Sequence, residues 1–364
     1  MTTNRIDVTN YARKFAAIAF GLLAALAPLG ATTAADLPKV RVIATGGTIA
    51  GAQAKPGDYG YKSGAYDVNT LVSAVPNLDK LAVITGEQVV NIGSQDMNDE
   101  VWLKLAKSVA AAQASNDVDA IVIMHGTDTL EETSYFLNLV TQGTKPVVMV
   151  GSMRPATATS ADGPANIYNG VAAAVSPGAS GRGTLVSLND EIHYARNVVK
   201  TNTTSLQTFA SINRGPAGLV HTGTVAWFEP MDKKLGAATG FDVAGLDKLP
   251  RVDVIYAHAN MSADLIEAAV KNGAKGIVIA GVGDGNMTTP ALDACKQAAA
   301  AGVVVVRSTR LPAGLVLRNN EVNDDEMGFV ASGELNPPKS RVLLQLALTK
   351  TTDPKAIQVM FYEF

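Results

Sequence analysis

The amino-acid sequence predicts an α/β protein made of two parallel-sheet domains. Three observations carry that reading. The chain has 364 residues, more than the ~250 at which one hydrophobic core usually stops growing. Short apolar runs without polar alternation recur between helical periods, as in strands covered on both faces. One stretch, Phe228 to Pro250, breaks this rhythm, which then resumes. The expected organisation is a leader over 1–35, a domain over 36–228, a connection over 229–250 and a second domain over 251–364.

Taken in order, Val40–Ala44 is β-branched and ends in Thr45-Gly46-Gly47-Thr48. Asp119–Met124 is a second strand, ending in His125-Gly126-Thr127-Asp128. Pro146–Val150 and Thr184–Leu188 are the third and fourth. Asn98 is positioned to cap a helix through Trp102, Leu105 and Val109. Asp128 or Thr129 caps the next, with Glu131 and Glu132 in the first turn, where the helix dipole favours acids. In that helix Tyr135, Phe136 and Leu139 fall at core spacing. Asp162-Gly-Pro164 opens another, with proline near the first helical position. The connection contains Pro230, the pair Lys233-Lys234, Gly236, Gly240 and Gly245. Beyond it, Val252–Tyr256 is a strand and Ser262 is expected to cap a helix closed by Gly273. Gly276–Ala280 is a strand, Thr289-Pro290 opens a helix closed by Gly302, Val303–Val306 is a strand, and Asp353-Pro354 opens the last helix. This βαβα order in both halves is what implies the two sheets.

Composition narrows the chemistry. Apolar residues are 47% and charged residues 17%, enough core for a globular chain. A net charge of −3 excludes the basic excess of a nucleic-acid binder. One cysteine, Cys295, excludes an internal disulfide and a cysteine zinc cage. The four histidines form no HxxxH pair, so any metal would have to be held by carboxylates. No metal and no cofactor is expected.

The first 35 residues stand apart. Arg5, Arg13 and Lys14 precede an uncharged run from Phe15 to Ala35 that turns small and polar after Leu29. This is the pattern of a secretory signal peptide cleaved near Ala34 or Ala35. Pro28, Gly30, Thr32 and Thr33 shorten the apolar core below the ~20 residues of a membrane span. Cleavage removes Arg5, Arg13, Lys14 and Asp7, a net +2, and takes the mature chain from −3 to −5. The expected location is periplasmic or secreted.

In open parallel sheets the chemistry lies beyond the carboxyl ends of the strands. Two of those ends carry glycine followed by threonine: Gly47-Thr48 and Gly126-Thr127. Glycine lets the backbone turn tightly and lets a ligand approach, and threonine presents a hydroxyl. A single such pair is usually a turn; two pairs, one followed by Asp128, point to a site. A threonine hydroxyl needs a base to become a nucleophile. Thr48 is not N-terminal after cleavage, so the base is another side chain: Tyr59, Tyr61, Tyr66, His125 or Lys200. The polar segment 53–65, without helical or strand period, is either a lid over Thr48 or a surface loop. Gly281-Val-Gly-Asp-Gly-Asn286 follows a strand but lacks the spacing of a dinucleotide fingerprint. It reads as a turn that brings backbone near a ligand.

Ala44-Thr-Gly-Gly-Thr-Ile-Ala-Gly51 and His125-Gly-Thr-Asp-Thr-Leu-Glu-Glu-Thr133 resemble the paired signatures of bacterial L-asparaginases. Asn91-Ile-Gly-Ser-Gln-Asp-Met-Asn98, Met153-Arg-Pro155, Ser160-Ala-Asp-Gly-Pro164 and Lys200-Thr-Asn-Thr-Thr204 are similar to that family too. The resemblance runs from about Val40 to the C-terminus, and the leader points to the secreted, type II branch, which includes glutaminase-asparaginases. It implies a larger N-terminal and a smaller C-terminal α/β domain and a homotetramer built as a dimer of dimers. It implies hydrolysis of L-asparagine to L-aspartate and ammonia through an acyl-enzyme, with some action on L-glutamine and no cofactor. By the same resemblance Thr48 is the nucleophile and Tyr61 helps remove its proton, while Thr127, Asp128 and Lys200 form a second triad. Ser94, Gln95 and Asp128 hold the amino acid's charged ends, and Asn286 and Glu321 reach the site from a neighbouring subunit. Asp284 departs from the family, which is expected to have asparagine there; near the substrate ammonium it would alter affinity or pH dependence.

Two other function classes share some of these features. A periplasmic solute-binding protein also has a leader, two α/β domains and a zwitterion site, but it needs no nucleophile and no base. A nucleotide-dependent enzyme would rest on the glycine-rich turn alone.

Overall fold

A computed structural model describes residues 37–55 and 60–364. The leader and Tyr59 lie outside the described residues. The unit from Pro38 to Phe364 is treated alone below.

Its N-terminal sheet is built from β1 (Lys39–Gly46), β2 (Val83–Ile92), β3 (Ala120–Met124), β4 (Val147–Val150), β5 (Thr184–Leu188) and β6 (Glu191–Tyr194). A separate two-stranded ribbon pairs β7 (Val199–Lys200) with β8 (Phe209–Ala210). The hairpin β9 (Gly218–His221) and β10 (Thr224–Trp227) completes the large sheet, in the order β10-β9-β6-β5-β4-β3-β1-β2. Strands β1 to β5 pair parallel, as the uninterrupted apolar runs require. The other end differs from the expected parallel sheet, because β6, β9 and β10 are antiparallel. Strands β6 and β10 follow tight turns at Asn189-Asp190 and Thr222-Gly223, all four residues in the left-handed region, which reverse the chain without a crossover helix.

Four helices cover this sheet: α1 (Val68–Ser73), α2 (Asp99–Ala114), α3 (Leu130–Val140) and α4 (Gly163–Val175). Asn98 caps α2 by accepting from the Val101 N–H at 3.0 Å, as its position predicts. Pro164 lies in the first turn of α4. Trp102 of α2 stacks on Phe136 of α3 with ring centroids 5.1 Å apart, and Tyr135, Phe136 and Leu139 are fully buried.

The C-terminal sheet is all parallel: β11 (Val252–Tyr256), β12 (Gly276–Gly281), β13 (Val304–Thr309) and β14 (Phe329–Ala331). Its helices are α5 (Asp264–Lys271), α6 (Thr289–Ala300), α7 (Asp324–Met327), α8 (Pro337–Ala347) and α9 (Pro354–Glu363). Ser262 does not cap α5: Ala263 occupies that position and makes no side-chain bond. Asp353 caps α9 by accepting from the Lys355 and Ala356 N–H groups.

The stretch expected to be a connection is not a free tether. Thr239 Oγ1 donates to Leu139 O at 2.7 Å, and buried Phe241 meets Phe364 edge-on at 5.5 Å. One apolar core runs from β3 and α3 into α8 and the face of β12 and β13, through Phe136, Leu139, Leu343, Leu344, Val278 and Val306. The two sheets therefore share buried surface. Among the described residues no helix is long and apolar enough to cross a membrane.

Candidate active site

Strands β1 and β3 lie side by side in parallel, with Ala44 opposite Met124. Their following turns therefore leave the sheet next to each other. Gly47 has φ +85°, and a Cβ placed on it would stand 2.3 Å from Gly126 Cα, so each turn needs its glycine to pass the other. The result sets Thr48 and Thr127 at adjacent strand ends, both buried.

Thr48 opens a 3₁₀ turn, and its Oγ1 lies 2.6 Å from the Tyr61 hydroxyl. Tyr61 is 45% exposed and its ring lies over Gly51, where a Cβ would come within 2.7 Å of the ring. The base of this loop is stapled. Ala52 and Lys62 exchange backbone hydrogen bonds of 3.1 and 2.9 Å, the Gly64 N–H reaches Gly47 O, and Asn91 Nδ2 donates to Gly64 O. These contacts fasten the described ends of 53–65 beside the Thr48 turn.

The second threonine meets a lysine from the ribbon. Lys200 Nζ donates to Thr127 Oγ1 at 3.0 Å and to Asp128 Oδ1 at 2.6 Å. Ser94 supports the same turn: its Oγ accepts from the Asp128 N–H at 3.1 Å and its carbonyl accepts from Thr129 Oγ1 at 2.7 Å. Thr129 is thus the residue before α3, and its hydroxyl is used across the loop instead of capping the helix. Gln95 is exposed, with its carboxamide folded over Gly93 and donating to Asp96.

The base candidates now separate. His125 is fully buried with Nδ1 against Gly126 O at 2.7 Å, and burial pushes its pKa down to about 4. It is a neutral core residue with no contact to Thr48. Tyr66 packs against the apolar core beside β1. Tyr61 alone among the described candidates touches the Thr48 hydroxyl.

Asn286 and Glu321 stand at the end of the C-terminal sheet. Neither shares a hydrogen bond or ion pair with the threonine cluster among the described residues. Both segments are organised by Arg307, fully buried on β13. Its guanidinium grips the buried Asp324 with two bonds of 2.6 and 2.7 Å, and also donates to Asp284 O and Leu317 O. The Asp284 carboxylate accepts from the Leu317 N–H and from Asn320 Nδ2, both at 2.7 Å. The carboxylate is thus engaged in fastening the loop that leads to Glu321. The glycine-rich turn closes on itself through paired Val282 and Asn286 backbone bonds, not around a phosphate-shaped nest.

Residues 39–233 match the model of the asparaginase N-terminal domain, and residues 251–361 that of the glutaminase/asparaginase C-terminal domain. The chain belongs to the asparaginase family. It is 52% identical to the "Probable L-asparaginase periplasmic" of Haemophilus influenzae, over 91% of this chain and 94% of that protein. It is 49% identical to L-asparaginase 2 of Escherichia coli, over 94% and 98%. It is 42% identical to the glutaminase-asparaginase of Pseudomonas aeruginosa, over 90% and 91%. As in the asparaginase fold, a large parallel-rich sheet is followed by a smaller parallel one.

Within this chain the cluster of Thr48, Tyr61, Ser94, Thr127, Asp128 and Lys200 comes from five separate chain segments. No group of three or more His, Cys, Asp or Glu suited to a metal occurs among the described residues. Glu131, read from the sequence only as a dipole-favoured acid, is 7% exposed and binds the Lys200 backbone. Its hidden signal was an acid on the buried side of an apolar helix.

Proposed function

We propose that the chain is an L-asparaginase that converts L-asparagine to L-aspartate and ammonia, with activity on L-glutamine. The carrying observation is the 2.6 Å contact between Thr48 Oγ1 and the Tyr61 hydroxyl, beside a second threonine bonded to Lys200. In this reading Thr48 Oγ1 bonds to the side-chain amide carbon while its proton moves to the Tyr61 oxygen and the Tyr61 proton moves on to the amide nitrogen; the carbon–nitrogen bond then breaks, ammonia leaves and an ester to Thr48 remains. The Thr127 backbone N–H meets the developing oxyanion. Thr127, Asp128 and Lys200 orient the water that cleaves the ester and restores Thr48. Ser94 and Gln95 serve the substrate carboxylate, and Asp128 pairs its ammonium.

Asn286 and Glu321 complete the site of a neighbouring copy, within a homotetramer arranged as a dimer of dimers. Support for sharing is that their segments are tied to Arg307, and that among the described residues neither has a hydrogen bond to its own chain's Thr48 or Thr127. Residues 1–35 direct export to the periplasm or medium, 36–228 and 251–364 form the two domains, and 229–250 joins them. A periplasmic location accords with the name of the Haemophilus relative. The test is ammonia release from both amides by the wild type, Thr48→Ala and Thr127→Ala. The wild type should release ammonia from L-asparagine, and each variant should lose several orders of magnitude in kcat while its Tm holds. Amide binding without ammonia release by the wild type would make it a solute-binding protein, and a variant keeping more than about a tenth of wild-type kcat would show that its threonine is not essential.

A further inference from the structure

The ribbon carrying Lys200 is only two residues per strand, too short to hold a side chain in place by its own pairing. Its outward edge is held by buried charges instead. Glu131 Oε2 accepts from the Lys200 N–H at 2.8 Å, and Glu131 Oε1 accepts from Asn336 Nδ2 at 3.0 Å. Two residues before Lys200, just ahead of the ribbon, the Val198 carbonyl accepts from the ammonium of Lys339, which is 1% exposed. Asn336 and Lys339 belong to the cap and first turn of α8, where Asn336 Oδ1 also accepts from the Lys339 N–H.

Glu131 lies three residues after Asp128, in the first turn of α3. It therefore ties the Lys200 backbone to the same helix start that carries the two partners of Lys200 Nζ. Through Asn336 it ties both to the C-terminal sheet's helix α8. Burial holds the Lys339 ammonium below the usual lysine value, and Glu131 is the largest charge opposing that fall.

We infer that Glu131 is a positioning residue for Lys200, and that Asn336, through Glu131, and Lys339, through the Val198 carbonyl, set from the chain's own C-terminal half the reach of the Lys200 ammonium to Thr127 and Asp128. This rests on the reading of Lys200 given above. The proposal assigns Glu131 no contact with substrate. A backbone displacement of about 1 Å at Lys200 would lengthen both of its short contacts and cost on the order of a hundredfold in rate at most.

The experiment is a double-mutant cycle on L-asparagine hydrolysis with Glu131→Gln, Lys200→Met and the two combined. Glutamine keeps the volume, but its amide nitrogen meets the Asn336 donor, so one contact is lost. Glu131→Gln should lower kcat by about tenfold or more with KM within about twofold, as for an interaction made in the transition state. In the Lys200→Met background the same change should cost less than about twofold, because the group it positions is gone. As a second variant that spares the buried acid, Asn336→Ser keeps the α8 cap and removes the donor to Glu131. It should lower kcat in the same sense with a Tm near wild type. If Lys200→Met is slow while Glu131→Gln is fully additive with it, or while Glu131→Gln and Asn336→Ser both leave kcat unchanged, the positioning role is wrong and the Lys200 reading stands. If Lys200→Met retains wild-type kcat, the Lys200 reading itself falls and takes this inference with it.

Discussion

Acidification should destabilise this protein through His125, and the size of the effect can be worked from its surroundings. The ring is fully buried, Nδ1 faces the Gly126 carbonyl, and Nε2 has no partner. Burial therefore drives its pKa from the ordinary 6.5 down to about 4. The folded state binds fewer protons than the unfolded state throughout that interval, so stability is complete above about pH 6.5 and is lost as pH falls toward 4. At about 1.4 kcal/mol per pH unit the full loss is about 3 kcal/mol, of which about 2 kcal/mol is expressed by pH 5. The perturbation is His125→Asn, which keeps an N–H donor for Gly126 and cannot ionise. The variant should be less stable at pH 7.5 because it leaves a cavity, but its further loss from pH 7.5 to 5 should be about 2 kcal/mol smaller than that of wild type. The assay is urea denaturation of both proteins at the two pH values and one protein concentration, comparing midpoints at constant slope. Carboxylates titrate alike in both proteins and cancel. Equal losses in wild type and variant would show that His125 is not held neutral by burial.

Tyr61→Phe removes only the hydroxyl that touches Thr48 and should lower kcat strongly, whereas Tyr59→Phe should be mild; steady-state ammonia release in the two variants decides, and the reverse ranking would place the wrong tyrosine at the nucleophile. Co-expressed chains carrying Thr48→Ala and Glu321→Ala, isolated as mixed species by two tags, should exceed the mean activity of the two parents. A two-fold pair leaves one of its two sites intact, roughly a quarter of all sites under random assembly, and activity no higher than that mean would put the site within one subunit. Arg307→Met strands the buried Asp324 carboxylate and should cost about 3–5 kcal/mol in denaturant unfolding, while adding Asp324→Leu should recover much of it; an unchanged midpoint in the single variant would contradict the buried pair. Dialysis against EDTA should leave ammonia release unchanged, and activity restored by a divalent ion would mean that carboxylates hold a metal after all.

The elements legible in the sequence were those whose own residues decide them. The runs at Val40, Asp119, Pro146 and Gly276 are apolar on both sides because strands between two helix layers have no wet face, whereas the Val252 run is an edge strand that leaves Val254 and Tyr256 exposed. Asn98 and Asp353 announce their helices because a cap is a contact within three residues. The strands β2, β6, β9 and β10 were not legible. β2 is an edge with mostly exposed or half-exposed residues, and the others are only four residues long, β6 and β10 set by the tight turns before them. Helix α8 was not among the expected elements; its two prolines, Pro337 and Pro338, sit in a first turn that has no N–H bonds to lose.

The site divides in the same way. The sequence by itself determined that two Gly-Thr turns follow two buried strands, that Asp128 stands beside one of them, and that no cysteine or histidine cluster competes with them. Those facts depend on residue type and on spacing along one segment. Only the tertiary structure decided that Tyr61, not Tyr66 or His125, meets Thr48, and that Asp284 serves a loop. It also decided that a buried acid in α3 holds Lys200 against α8. Each of those contacts joins segments between 13 and 205 residues apart. Their partners are chosen by strand order, by the close passage of Gly47 and Gly126, and by the burial of charges that must find one another away from water. No local pattern carries that information, because it exists only once the sheets have packed.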